Sequence, residues 1–147
     1  MPSDGGRELF RLGIDPARDF ELNSALCLAK LRPEGFCSLE ARIQGTFLTK
    51  PFRWPRGAAL WLNCEAHVGE IYCEVTDVET GVKPFLGFGR RLGGPITGDH
   101  PQGVKVQWLG GATAGWDEEP VRLKVYMVQA RVFSFWLADD DDTDDEL

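Results

Sequence analysis

A chain of 147 residues, 43% of them hydrophobic, is long enough for one domain with a sizeable core. The net charge of −7 comes from one end: seven of the 23 acidic residues stand in DDDDTDDEL (139–147), and the remaining 16 balance 16 Lys and Arg. A balanced body with no basic face excludes the usual nucleic-acid binder. No apolar run reaches the roughly 18 residues that a membrane span requires.

In chain order, residues 1–22 fit no strand and read as an N-terminal arm, with Pro16 ending any turn begun in RELFRLG. The segment contains no apolar core of signal-peptide length, so a cytoplasmic or otherwise intracellular location is expected, unless Met1 is not the natural start. From residue 23 to 138 the pattern has period two. SALCLAKL (24–31) alternates, and GFCSLEA (35–41) follows after a Pro-Glu-Gly turn. TFLTKPF (46–52) reads as a further strand, with Pro51 favouring a sheet edge. AALWLNCEA (58–66) puts Leu60, Leu62 and Cys64 on one face. EIYCEVTD (70–77) does the same with Ile71, Cys73 and Val75.

Between these two runs HVGE suggests a hairpin. With Val68-Gly69 at its centre, Cys64 falls opposite Cys73, at the roughly 4.5–5.5 Å of cross-strand neighbours and within disulfide reach. Two packed thiols are the simpler expectation. A zinc site from Cys64, His67 and Cys73 lacks a fourth ligand, and no metal or cofactor is expected. Asp77 to Gly81 is a turn. VKPFLGF (82–88), GVKVQW (103–108) and a hairpin, PVRLKVYMV–QA–RVFSFWL (120–137), complete about nine short strands. The fold class expected is all-β, an antiparallel β-sandwich. The acids from 139 onward repel one another and are expected to form a disordered tail.

The same segments carry a family resemblance. ALCLAKLRPEGFCSLEA, FLTKPFRW, LWLNCEAHVGEIYCEVTD, GFGRRLGGPITGDH, VQW and PVRLKVYMVQARVFSFWL appear in the order of one known module. They resemble the β-sandwich on the C-terminal side of five-bladed β-propeller proteins related to glycoside hydrolases. The resemblance spans residues 24–137 and implies a jelly-roll-like sandwich. Residues 1–23 leave no room for the catalytic propeller in this chain, and Gly93-Gly94 and His100 depart from the family pattern.

The most reactive-looking stretch is PITGDH (95–100), with Thr97, Asp99 and His100 together. Gly98-Asp99 is a turn signal, and no nucleophile–base pair or glycosidase-like carboxylate pair accompanies it. It is expected to be a turn, and the protein no enzyme. The candidate site is a surface. Trp61, Tyr72, Tyr126 and Trp136 fall on the strand faces opposite the core set, with Arg122 among them. Aromatics on an outer face suit three roles: packing under the N-terminal arm, docking a protein partner, or stacking on sugar rings. Trp54 and Trp116 lie near loops and serve any of these, whereas Trp108 is expected in the core. The expected function is a non-catalytic interaction subunit of a larger protein assembly. The alternative is a carbohydrate-binding accessory module.

Overall fold

The computed structural model describes residues 26–85, 87–109 and 119–140. The N-terminal arm, Trp116 and acidic positions 141–147 lie outside them. The chain divides into two compact units at Lys30/Leu31. Of the first unit, residues 26–30 are described. They have no regular structure, and Leu26 and Leu28 are exposed, so the strand expected over 24–31 is not formed there.

The second unit is all antiparallel β among its described residues. Its strands are β1 (Leu39–Leu48), β2 (Phe52–Arg53), β3 (Ala58–Thr76), β4 (Ile96–Lys105) and β5 (Pro120–Asp139). They form one sheet in the order β1-β5-β3-β4, and β2 pairs with β5 beyond β1. A single helical turn, Arg90–Leu92, precedes β4. Strand β2, which follows Pro51, pairs with β5 alone, as a proline at a sheet edge predicts.

The alternation of apolar residues is as expected. Leu60, Leu62, Cys64, Ile71, Cys73 and Val75 are all buried. They join Val121, Leu123, Val125 and Val132 of β5 in one cluster. What differs is the connection between the strands. HVGE does not turn, and β3 runs unbroken through it beside an equally long β5. Cys64 stands opposite Val132 and His100, and Cys73 opposite Val125, so the two thiols are not cross-strand partners and both are free.

The reason lies in Gly69. A Cβ added there would sit 1.7 Å from the Val128 carbonyl oxygen. The glycine therefore marks where two backbones approach, not a reversal. The QA pair likewise belongs to β5, where Gln129 adopts φ 44° and Ala130 is buried. The β3–β5 register shifts between Glu65 and Glu70, opposite these residues. Bulges of this kind bend a ribbon and increase its twist. The sheet curls there into a half-barrel, so both ends of β3 contribute to the same core.

Other expected segments move in smaller ways. Of GFCSLEA, only the part from Leu39 is strand, and the described residues of 82–88 form no strand beyond one bridge, Thr76 to Pro84. The Pro-Glu-Gly turn is present, with the Gly35 amide on the Arg32 carbonyl (3.1 Å). Asp77 to Gly81 is also a turn. Asp77 accepts the Thr80 amide (2.9 Å) and hydroxyl (2.8 Å), and these bonds hold its carboxyl below the usual range.

Candidate functional site

PITGDH is not a turn. From Ile96 onward it is the first half of β4, with Ile96 buried against the core. Gly98 takes φ 86°. His100 Nε2 bonds the Thr97 carbonyl oxygen at 2.7 Å, and Asp99 Oδ1 accepts from Arg32 at 2.9 Å. The reactive types in this stretch are thus committed to local structure.

Arg32 is held from every side. Its guanidinium donates to Asn63 Oδ1 (2.6 and 3.0 Å) and to the Cys64 carbonyl (3.2 Å), and lies 3.9 Å above the Phe133 ring. The Asn63 amide in turn donates to the Pro33 carbonyl at 2.7 Å. Burying an asparagine on a strand requires such full pairing. This network fastens the Arg32–Gly35 turn across the outer face of β3.

The expected surface residues do share the outer face of the β3–β5 ribbon, as two separate pairs. Trp61 stands opposite Trp136 near one end, and Tyr72 opposite Tyr126 near the other. The continuous strand puts the bend of the sheet between them.

At the tyrosine end, Arg90 lies over both rings, its guanidinium carbon 4.5 Å from the Tyr126 centroid and 5.1 Å from that of Tyr72. Glu74, buried beneath, accepts the Arg90 backbone amide (3.1 Å) and the Tyr126 hydroxyl (3.2 Å). The Tyr72 hydroxyl donates to Glu70 (3.1 Å), a bond that raises its pKa. The sequence pattern brought out Tyr72 and Tyr126 but not Arg90, which arrives from the loop before β4. Arg122, further along β5, spends its Nε–H on the Thr49 carbonyl at 2.8 Å. It ties β5 to the link between β1 and β2.

The tryptophan end is different. Trp136 is 36% exposed and lies over Gly103, where a Cβ would meet its ring at 2.4 Å. Glycine at that position of β4 is what lets the indole lie flat. Trp61 Nε1 and Ser134 Oγ are both shielded from solvent and have no hydrogen-bond partner among the described residues. A groove of about 500 Å³ has Trp136, Ser134, Gln102 and Glu34 on its walls. Trp54, read from the sequence as a loop-side binding candidate, is 3% exposed and belongs to the core. Trp108 packs against that core and donates its Nε1–H to the Cys73 carbonyl (2.9 Å).

Cys64 and Cys73 are sealed in. Burial pushes the Cys64 thiol up to about 11, partly offset by Arg32, and burial raises that of Cys73 further. His67 is exposed and faces Glu65 at 3.8 Å, away from both thiols. Among the described residues, no group of three or more His, Cys, Asp or Glu is placed to hold a metal ion. No helix among them is long and apolar enough to cross a membrane.

The largest departure from a closed surface lies elsewhere. Phe36 is 94% exposed and Ile43 79%, with Leu31 and Leu39 also open to solvent. Strand β1 pairs only with β5 among the described residues, leaving its other edge without a ladder. Comparison with family models, curated proteins and solved structures finds no match for this chain.

Proposed function

We propose that this chain is a non-catalytic binding module, a jelly-roll-like sandwich that works as an interaction subunit of a larger protein assembly. The observation that carries this reading is the run of exposed apolar side chains from Leu31 to Ile43, beside the open edge of β1. Large apolar groups this exposed are the signature of surfaces that a partner covers. An unladdered strand edge offers backbone donors and acceptors to an added strand. Resemblance to the sandwich of the propeller proteins supports a module that acts beside other folded units.

The test is a pull-down of the tagged chain from its source cells, run in parallel with a Phe36→Ser/Ile43→Ser variant. A stoichiometric set of partners that the double variant loses is the expected result. A chain that stays solitary in both forms sinks the reading.

A second reading, a carbohydrate-binding module, is favoured by the groove at Trp136. There an indole partly open to solvent shares the groove with Gln102 and Glu34, the pairing of ring and hydrogen-bonding groups that sugars need. Binding to a polysaccharide panel that disappears in Trp136→Ala supports it. An empty panel removes it.

A further inference from the structure

A second cleft, on the core side of the sheet, has the makings of a small-molecule site. It holds about 220 Å³. Its floor is Leu60 and Val106, and its walls are the rings of Trp54, Phe88 and Trp108. The rings are mutually inclined, Trp54 to Trp108 at 62° with centroids 6.3 Å apart and Phe88 to Trp108 at 58° and 5.4 Å. Such a wall presents both faces and edges, the arrangement in which another aromatic ring gains most.

Both indole N–H groups are turned away from the space, Trp54 onto the Ala58 carbonyl (2.8 Å) and Trp108 onto that of Cys73 (2.9 Å). Gln107 adds a neutral polar side chain to an otherwise apolar interior. The charged groups stand at the rim, where Lys105 and Asp140 form an ion pair with each other. That pair matches Lys105, and Asp139 opposite Ala58 adds a further acidic group nearby, so an anionic ligand is disfavoured.

The frame is also fixed in advance. The Val106 amide bonds the Leu60 carbonyl (2.8 Å), and the Asp140 amide bonds that of Gly57 (3.1 Å). An apolar protein cavity of about 150 Å³ stays dry and takes up benzene. This one is of that order and already lined with rings.

We propose that the cleft between Trp54, Phe88 and Trp108 binds a neutral single-ring aromatic compound. The ring enters past Lys105 and Asp140 and stacks edge-to-face on the indoles. This site is distinct from the β1 edge and from the Trp136 groove, and stands or falls without them.

The experiment titrates the full chain with indole and with p-cresol, following the indole N–H resonances of Trp54 and Trp108. A saturable shift, with intermolecular contacts to the Trp54, Phe88 and Trp108 ring protons, is the expected result. Ala58, which also lines the cleft, is the filling position: Ala58→Val should weaken binding about tenfold or more while the circular dichroism stays that of the parent. Trp136→Ala, remote from this lining, should bind as the parent does. Absence of a saturable shift with either probe overturns the site, as does unchanged affinity in a folded Ala58→Val protein. If that variant does not fold, the ring contacts in the parent decide, and contacts elsewhere overturn the proposal.

Discussion

The two ends of the β3–β5 ribbon carry the same device and finish it differently. Each has an aromatic pair facing outward across the strands, Tyr72 with Tyr126 and Trp61 with Trp136. At the tyrosine end both hydroxyls are paired, Tyr72 with Glu70 and Tyr126 with Glu74, and Arg90 lies over both rings. At the tryptophan end, two shielded polar atoms are left unanswered among the described residues and the outer indole keeps part of its ring in solvent. A paired polar cluster holds a structure together, whereas a ring face left open to solvent is where a ligand can pack. One end is closed by its own polar contacts, and the other keeps an indole partly in solvent.

The largest expected effect falls on the bend that separates them. Gly69→Ala places a methyl group against the Val128 carbonyl and the Gln129 carbonyl, 1.7 and 2.7 Å from its position. Overpacking of backbone against backbone should cost about 3 kcal/mol or more, read as a lower urea midpoint with both ends unfolding together. Next comes Glu74→Ala. It strands the Arg90 amide and the Tyr126 hydroxyl in a buried setting, an expected loss of about 1–3 kcal/mol. Trp136→Ala should cost only about 1 kcal/mol by the same measurement, since the ring is partly solvated already. If Trp136→Ala proves the more destabilising of the two, the division of labour between the ends is wrong.

Thiol chemistry sharpens the view of the core beneath them. Cys27 and Cys37 are exposed and should react with a thiol reagent within the mixing time at pH 8, while Cys64 and Cys73 should react only on unfolding. The raised pKa of Cys64, about 11 against 9.0, has a defined sign. Its contribution to stability is intact below about pH 9 and is lost as pH rises through about 11. The smallest effect is at the Asp77 turn. Its pKa is lowered from 3.8, so its contribution is present above that pH and is lost as pH falls through the folded value. Asp77→Asn should flatten the acid limb of the melting temperature in that window.

Several features were legible in the residues alone. Alternation with period two picked out Leu60, Leu62, Cys64, Ile71, Cys73 and Val75, all buried, because successive strand residues point to opposite faces. It did not show that Asn63 and Glu74 on the other face are buried too. Pro51 at an edge and the Asp77–Gly81 turn followed from backbone chemistry that is local. The hairpins did not. Gly69 and Gln129 look like reversal signals, yet one permits a close strand crossing and the other a bulge. A glycine required by φ and a glycine required by a neighbour's carbonyl are the same letter. PITGDH failed for a related reason, since Gly98 supplies a positive φ inside a bent strand as readily as in a turn.

The site shows the same divide. That the four aromatics lie on outer strand faces could be expected from alternation, but their pairing, Arg90 over the tyrosines and the Trp54–Phe88–Trp108 cleft join residues far apart in the chain, and no local pattern announces them. What the amino-acid sequence determined by itself was the all-β class, the apolar face of each strand and the acidic end, because those depend on period and composition. Tertiary structure alone decided that two strands run long and curl, which aromatic pair is closed and which stays open, and where an apolar cleft survives. Those outcomes depend on which backbones approach each other, and that is settled only when the sheet bends.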